Sequence, residues 1–468
     1  SIVSLWRILP RPDDHGNHET DTSSWIPKRV IANYVPVVNE KDIEHLENLA
    51  SNGSETARKI LSPLQKDAES TRVGEDEEPP KVGDIMNFSH IAVHTQKIHN
   101  NRIIGQPMLA CLKADVDWLG VIFSKGFSEK DVSLGRIATL SRLLDLFFKG
   151  YLSYKLLSTD NVLSDNKSSN AINNLGDNAD ISQTLESSLQ EMRDQYRLIY
   201  TVFSGGDDLF LIGPWDVICY LAWDIHCWLT QYVSGQLVNI SKVIAHLQQQ
   251  GNTNEIANVS NIAPITISAG IAFNHPKIPP SLLAKSAEEQ LHIAKSSSGG
   301  GKTKNRIALL TDLMKGGMDF LKAESTSEVK DDNRISAALS WDEFACGLVF
   351  GKWLEEMLLR PSDEMIINRS LVYRLLQYAC SAEFVRRLSQ QEDEGKIPID
   401  KITWRSRLKY DLARNVKNWH EPEKLEKPSH VQDIHRLRRI TGFCINQSYR
   451  PLILATVWAL YKTRGGAL

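Results

Sequence analysis

The chain has 468 residues, 42% of them hydrophobic and 24% charged, with a formal net charge of −3. It has room for two or three domains with a sizeable core, and nothing in its bulk charge demands a nucleic-acid or membrane partner. No apolar stretch reaches the length of a membrane span, so no membrane association is expected.

Cysteines at positions 111, 219, 227, 346, 380 and 444 are scattered without a Cys-x-x-Cys pair. They read as buried thiols in a reducing compartment, hence cytoplasmic, rather than as a zinc or disulfide framework. The chain opens at Ser1 with neither an initiator Met nor a signal peptide, as expected of a piece of a longer protein. Charge is uneven: residues 401–468 hold fourteen Lys and Arg against five Asp and Glu, whereas 66–84 is acidic around Glu75, Asp76, Glu77 and Glu78.

Residues 1–107 read as an N-terminal or linker region without a catalytic signature. Ile31–Val38 suits a strand or an extended linker, 50–60 a helix, and 66–84 an exposed loop. Met108–Ala114 is a short apolar run of strand length that ends at Asp115. Ser133–Leu157 carries Ile137, Leu140, Leu144, Phe147, Phe148 and Tyr151 at helical spacing. The Ser-, Asn- and Asp-rich stretch 158–190 reads as a surface insertion.

Leu198–Phe203 and Leu209–Gly213 then form two strands around the tight turn Ser204-Gly205-Gly206-Asp207-Asp208. Trp215–Tyr232 is a second helix, with Asp216 near its positive end. A polar insertion at 242–261 precedes a strand over Pro264–Phe273 and a helix over Ser281–Lys295. From about 336 the pattern is helical only, with apolar periodicity over Trp341–Leu359, Asn368–Ser381 and Gln432–Arg464.

The order β-α-β-β-α-β is the split βαβ plan of ferredoxin-like α+β folds, in which a right-handed crossover puts the third strand between the first and second. Asp115 then comes beside Asp207 and Asp208. Ser-Gly-Gly-Asp-Asp alone is no more than a good hairpin turn. Adjacent acids between strands this apolar are costly unless exposed or liganded, and a second acidic strand end, Asp115-Val116-Asp117, falls where the topology predicts. Three carboxylates suit two Mg²⁺ ions (or Mn²⁺) in phosphodiester synthesis from a nucleoside triphosphate. Gly205 and Gly206 leave the turn open to a phosphate.

The stretches Leu112–Gly120, Tyr200–Trp215 and Ser268–Ile271 resemble the second palm domain of the CRISPR polymerase-like large subunit of type III interference complexes, closest to the type III-A form. They resemble, more distantly, the palm of diguanylate and adenylyl cyclases. The resemblance covers about 108–310; the helical tail resembles that subunit's C-terminal domain in order and character only, and 28–107 its linker more weakly.

It implies a Mg²⁺-dependent synthase of cyclic oligoadenylate from ATP, switched on by target RNA. It further implies metal ligation by Asp115, Asp207 and Asp208, and substrate contacts from Ser204, Gly205, Gly206, Asp117, Ser268, Lys295 and Lys304. The implied partners are small helical subunits, a subunit that caps the crRNA end, the N-terminal half of the large subunit, crRNA and target RNA.

Trp118 stands where the family commonly has Asn, and no His-Asp dyad of an HD-type nuclease occurs, so the family's nuclease and first palm domains are expected elsewhere. Gly299-Gly300-Gly301-Lys302-Thr303 resembles the end of a P-loop. It has Ser296 where Gly is needed and follows a helix, so a flexible loop is the better reading.

The expected organisation is therefore a linker over 1–107, a palm over 108–325 and a helical domain over 336–468. The alternative function is a scaffold that docks helical subunits and RNA with its palm inactive. Arg405, Arg407, Lys409, Arg436, Arg438 and Arg439 of the basic tail are either a solvated face or a surface for RNA phosphates or an acidic subunit.

Overall fold

The computed structural model describes residues 34–61, 79–125, 133–157, 179–233, 265–295, 304–310, 337–362, 364–390 and 403–465. The insertion expected at 242–261, the glycine-rich 299–303 and most of the acidic loop lie outside them.

Val37 makes an isolated antiparallel bridge to Ile85, and the Tyr34 carbonyl accepts the Thr201 N–H at 2.8 Å. Two helices follow, α1 (Glu40–Ser51) and α2 (Glu55–Leu61), then α3 (Phe88–Val93). Asn39 and Asp42 close α1 with a reciprocal capping box. The Asp42 carboxylate also takes two hydrogen bonds from Arg197, at 2.6 and 3.0 Å, so this region is packed against the rest. A small hairpin, β1 (Lys97–His99) and β2 (Arg102–Ile104), turns on Asn100 and Asn101, both at positive φ as a type I′ turn requires.

The central sheet contains β3 (Leu109–Val116), β4 (Tyr200–Gly205), β5 (Asp208–Pro214), β6 (Ile267–Asn274), β7 (Arg306–Leu310) and β8 (Ala337–Ser340), in the order β4-β5-β3-β6-β7-β8. The third strand of the reading above, β5, lies between the first, β3, and the second, β4. β7 runs parallel to β6 and β8 antiparallel to β7, an extension of the sheet that the sequence did not announce.

The first four residues of β3, Leu109–Leu112, form a continuous apolar run because helices cover both faces there, whereas Lys113 and Asp115 interrupt it. Leu109 and Cys111 meet α3 and α9 (Pro280–Lys295), while Ala110, Leu112, Ala114 and Val116 join the main core. Gly270 permits the close approach of α9: a Cβ there would lie 2.2 Å from the Leu291 backbone nitrogen and 2.5 Å from the Ala287 carbonyl.

The single helix expected over 133–157 is a composite. α5 (Leu134–Asp145) widens into a π-helix at Leu146–Tyr151 before α6 (Leu152–Leu157), with Phe147 and Phe148 fully buried. The insertion expected over 158–190 is corrected in its second half. α7 (Ala179–Arg193) turns Ile181, Leu185, Leu189 and Met192 into the core, a period of three and four residues hidden among Ser and Gln.

Beyond α8 (Trp215–Val233) and the sheet, the tail contains α10 (Trp341–Leu358), α11 (Arg369–Gln390), α12 (Trp404–Asn415), α13 (Pro428–Asn446) and α14 (Arg450–Thr463). The helix expected over 432–464 is therefore two. Pro451 sits in the first turn of α14, where its missing N–H costs nothing, whereas in a helix interior it would break the ladder.

Tail and sheet share one hydrophobic core. Trp215 of α8 packs edge-on against Trp458 of α14, ring centroids 4.9 Å apart, and the buried Lys462 ammonium pairs with the buried Asp216 carboxylate. Asp216, expected merely to complement a helix dipole, is thus half of a buried ion pair. All six cysteines are buried free thiols, and no described helix is long and apolar enough to cross a membrane.

Candidate functional site

The carboxylates converge through strand register. Asp115, at the end of β3, stands directly opposite Asp208 on β5 and Ser268 on β6. Directly opposed residues of antiparallel strands share a face, so these three form one row across the sheet. The Val116 N–H donates to the Asp207 carbonyl at 3.1 Å, which ties the turn to the end of β3. Gly206 takes φ +65° in that turn, with nothing within 4 Å of where a Cβ would sit.

α9 overlays the same face with charge. Lys113, one pleat before Asp115, pairs with Glu288, and Lys295 in the last turn of α9 pairs with Asp115. Burial pushes the Asp115 carboxyl above the ordinary carboxylate range; Lys295 opposes that rise, while Asp208 and Asp207 add to it. Burial and then the neighbouring Asp207 raise Asp208, against Lys113 and Lys295. Like charges placed directly opposite destabilise a sheet, so this pair is not explained by stability.

Ser268 within the row and Asp117 beside it are already engaged with each other. The buried Asp117 carboxylate accepts from the Ser268 hydroxyl at 2.7 Å, the Thr266 hydroxyl at 2.8 Å and the Asn305 N–H at 2.8 Å. These bonds join the end of β3 to β6 and to the start of β7. Ser204, expected near a ribose or phosphate, is instead buried, and its hydroxyl donates to the Phe148 carbonyl at 2.8 Å, on the π-helical segment.

The Lys304 ammonium lies 4.3 Å from the centroid of the Trp118 ring. Trp118 holds φ +60°, a conformation Asn tolerates better than Trp, which gives the departure at this position a backbone meaning. Of the ten residues singled out from sequence, Asp115, Asp207, Asp208, Gly205, Gly206 and Lys295 gather at the turn. Asp117 and Ser268 form the adjoining buried network, Lys304 sits on Trp118, and Ser204 faces away.

Among the described residues, no three His, Cys, Asp or Glu side chains stand close enough together to hold a metal ion as arranged. Lys295 occupies one oxygen of Asp115. The donor set nonetheless suits Mg²⁺, which takes only one or two protein carboxylates per ion and completes its shell with water and phosphate oxygens. Two residues missed from sequence touch the turn: Asp145 accepts the Gly206 N–H at 3.2 Å and pairs with Lys149 at 2.6 Å. Their spacing announces a helical ion pair and nothing of what it faces.

The basic tail divides in two. Arg436 pairs with Glu356, Arg438 donates to the Trp419 carbonyl and Arg439 pairs with Asp180. Arg405, Arg407 and Lys409 of α12 are exposed beside Tyr410, itself 60% exposed.

Residues 108–308 match the family described as Cas10/Cmr2, second palm domain. The chain is 28% identical over 330 residues to the CRISPR system single-strand-specific deoxyribonuclease Cas10/Csm1 (subtype III-A) of Enterococcus italicus, covering 70% of this chain and 34% of that protein. It is 27% identical over 278 residues to the protein of the same name from Mycobacterium tuberculosis, covering 58% of this chain and 27% of that one. The chain thus spans about a third or less of the length of these curated relatives. Among solved structures it resembles a chain of a Csm1-Csm4 cassette in complex with cA4, with a TM-score of 0.43 and 17% identity, covering 81% of this chain and 39% of that one.

Proposed function

We propose that this chain, a relative of the Cas10/Csm1 large subunits of type III-A CRISPR systems, carries a nucleotidyl-transferring palm that makes cyclic oligoadenylate from ATP within a type III complex. In this reading the sheet around β3, β4, β5 and β6 is a ferredoxin-like palm over 108–325, preceded by a linker and followed over 336–468 by a domain that is helical after β8. The observation that carries the reading is the register of Asp115 against Asp208 at a Gly-Gly turn, with Lys295 reaching the same carboxylate from α9. An opposed Asp pair weakens a sheet and is expected where a cation is to be held.

Asp115, Asp207 and Asp208 would hold Mg²⁺ or Mn²⁺, which when bound offsets the charge of a triphosphate and of the oxygens in transfer. Each protein group has its own part. The open backbone at Gly206 admits a phosphate without a side-chain clash. Lys295, at the C-terminal end of α9, exchanges its carboxylate partner for phosphate oxygens once Asp115 is engaged elsewhere. Asp117 and Ser268 act indirectly, by holding the end of β3 against β6. Lys304 and Trp118 close the site on the β7 side.

Making a ring requires a donor and an acceptor nucleotide in attack geometry, and orientation of this kind is worth about 7–11 kcal/mol. The opposite wall is expected from the first palm of the large subunit's N-terminal half, with small helical subunits, the crRNA-capping subunit, crRNA and target RNA as further partners. The test is to incubate the chain with ATP and Mg²⁺, first alone, then with that half, and then in the complete complex with crRNA and target RNA. The expected outcome is ATP binding by the chain alone, cyclic product only in the complete complex, and no product after Asp207→Ala with Asp208→Ala. Undiminished synthesis by the double variant would sink the assignment and leave the scaffold reading.

A further inference from the structure

We propose that Asp145 is a positioning residue for the acidic turn, holding it through the Gly206 N–H so that Asp207 and Asp208 are presented to a metal ion. This inference rests on the metal-binding reading above and deepens it.

Three consecutive turn residues are each met by the helix where it widens into its π-helical segment. The Ser204 hydroxyl donates to the Phe148 carbonyl at 2.8 Å. The Gly205 backbone lies against Lys149: a Cβ there would fall 2.6 Å from Lys149 Cε and 3.5 Å from Asp145 Oδ1. The Gly206 N–H donates to Asp145 Oδ1 at 3.2 Å. The β4–β5 ladder meanwhile shifts register between Thr201 and Phe203, so the hairpin's own pairing is irregular on the approach to the turn. π-Helical widenings recur at functional sites, and this one sets residues 145, 148 and 149 on the hairpin that carries the acids.

The chemistry favours positioning over a further metal ligand. Lys149 lies 2.6 Å from the same Asp145 oxygen, so the pair adds almost no net negative charge beside Asp207 and Asp208. Asp145 and Lys149 keep 40% and 38% side-chain exposure, so the core does not depend on them. What Asp145 supplies is a fixed acceptor for a left-handed glycine amide one residue before Asp207. Partners that orient metal ligands from behind typically affect metal affinity 10- to 100-fold.

The experiment titrates the full chain with Mn²⁺ alone, reading free Mn²⁺ by electron paramagnetic resonance, with thermal unfolding recorded for every variant. Asp145→Ala is expected to weaken Mn²⁺ binding by about tenfold or more at an unchanged unfolding midpoint. Asp145→Asn, which keeps an oxygen to accept from Gly206, is expected to restore most of that loss. Wild-type affinity in Asp145→Ala overturns the proposal, as does an Asn variant no better than the Ala variant or an Ala variant without a cooperative transition. Asp207→Ala with Asp208→Ala separates the two failures. If that double variant still binds Mn²⁺ as wild type does, the metal reading itself falls and this inference with it. If it loses Mn²⁺ while Asp145→Ala does not, the positioning role alone is refuted.

Discussion

Asp115 and Asp208 face each other across adjacent antiparallel strands, and both carboxyls are raised above the ordinary carboxylate range, by burial first and then by their acidic neighbours. A carboxyl raised in the folded state binds its proton more tightly there than in the unfolded chain. Stability therefore falls as pH rises from the ordinary carboxylate range through the raised values, and stays lower above them. Metal-free Asp208→Asn is expected to unfold at a higher temperature than wild type at neutral pH, with the difference closing in acid. Both groups are partly exposed, so the gain is small. Thermal scans across that pH range check it, and an Asn variant less stable at neutral pH would contradict it.

Lys295 lowers the proton affinity of Asp115 and is expected to serve phosphate once a nucleotide binds. Lys295→Ala should weaken ATP binding about tenfold or more, since charge-assisted hydrogen bonds contribute about 1.5–3 kcal/mol. Calorimetric titration with ATP and Mg²⁺ reads this. Unchanged affinity would leave Lys295 as a helix-end ion pair only.

Gly270 controls how closely the helix that carries Lys295 approaches the sheet. A methyl group there meets backbone atoms of α9 at 2.2 and 2.5 Å, which a rotamer change cannot relieve. Gly270→Ala should cost about 1–3 kcal/mol, the range for overpacking, and should weaken nucleotide binding as well. Denaturant unfolding and ATP titration on one preparation test both halves.

Lys462 and Asp216 form an ion pair that is almost wholly excluded from solvent, below Trp215 and Trp458. Removing one partner leaves a buried uncompensated charge, so Lys462→Met should destabilise by about 3–5 kcal/mol. Replacing both, as Lys462→Met with Asp216→Leu, should cost much less. A double variant as unstable as the single one would show that the charges are needed for more than each other.

The two halves of the basic tail should respond differently to charge reversal. Arg405, Arg407 and Lys409 are exposed, so their reversal to Glu should leave folding intact; if they meet RNA phosphates it also weakens RNA association with a shallower salt dependence, and unchanged association marks them as a solvated face. Reversal of Arg436, Arg438 and Arg439 breaks contacts within the chain and should lower the unfolding midpoint. RNA binding by filter retention at several salt concentrations, beside thermal unfolding, separates the cases.

Period and punctuation by themselves determined the strands around Asp115 and the Gly-Gly turn, the helices read at 215–232 and 281–295, and the acids worth following. A strand whose first four residues are buried on both faces is legible there as an apolar run, and a turn is legible in its glycines. Register and contact were decided only in three dimensions. Ser204 belongs to the same motif as Asp208, yet neighbouring strand residues point to opposite faces, and its hydroxyl is bonded to Phe148. α7 was hidden because its apolar residues are diluted by Ser and Gln; it is the core they enter that makes the segment a helix. The i, i+4 spacing of Asp145 and Lys149 was always readable, but only tertiary packing places that pair against Gly205 and Gly206. A side chain's partner is set by the fold of distant segments and not by its neighbours in the chain.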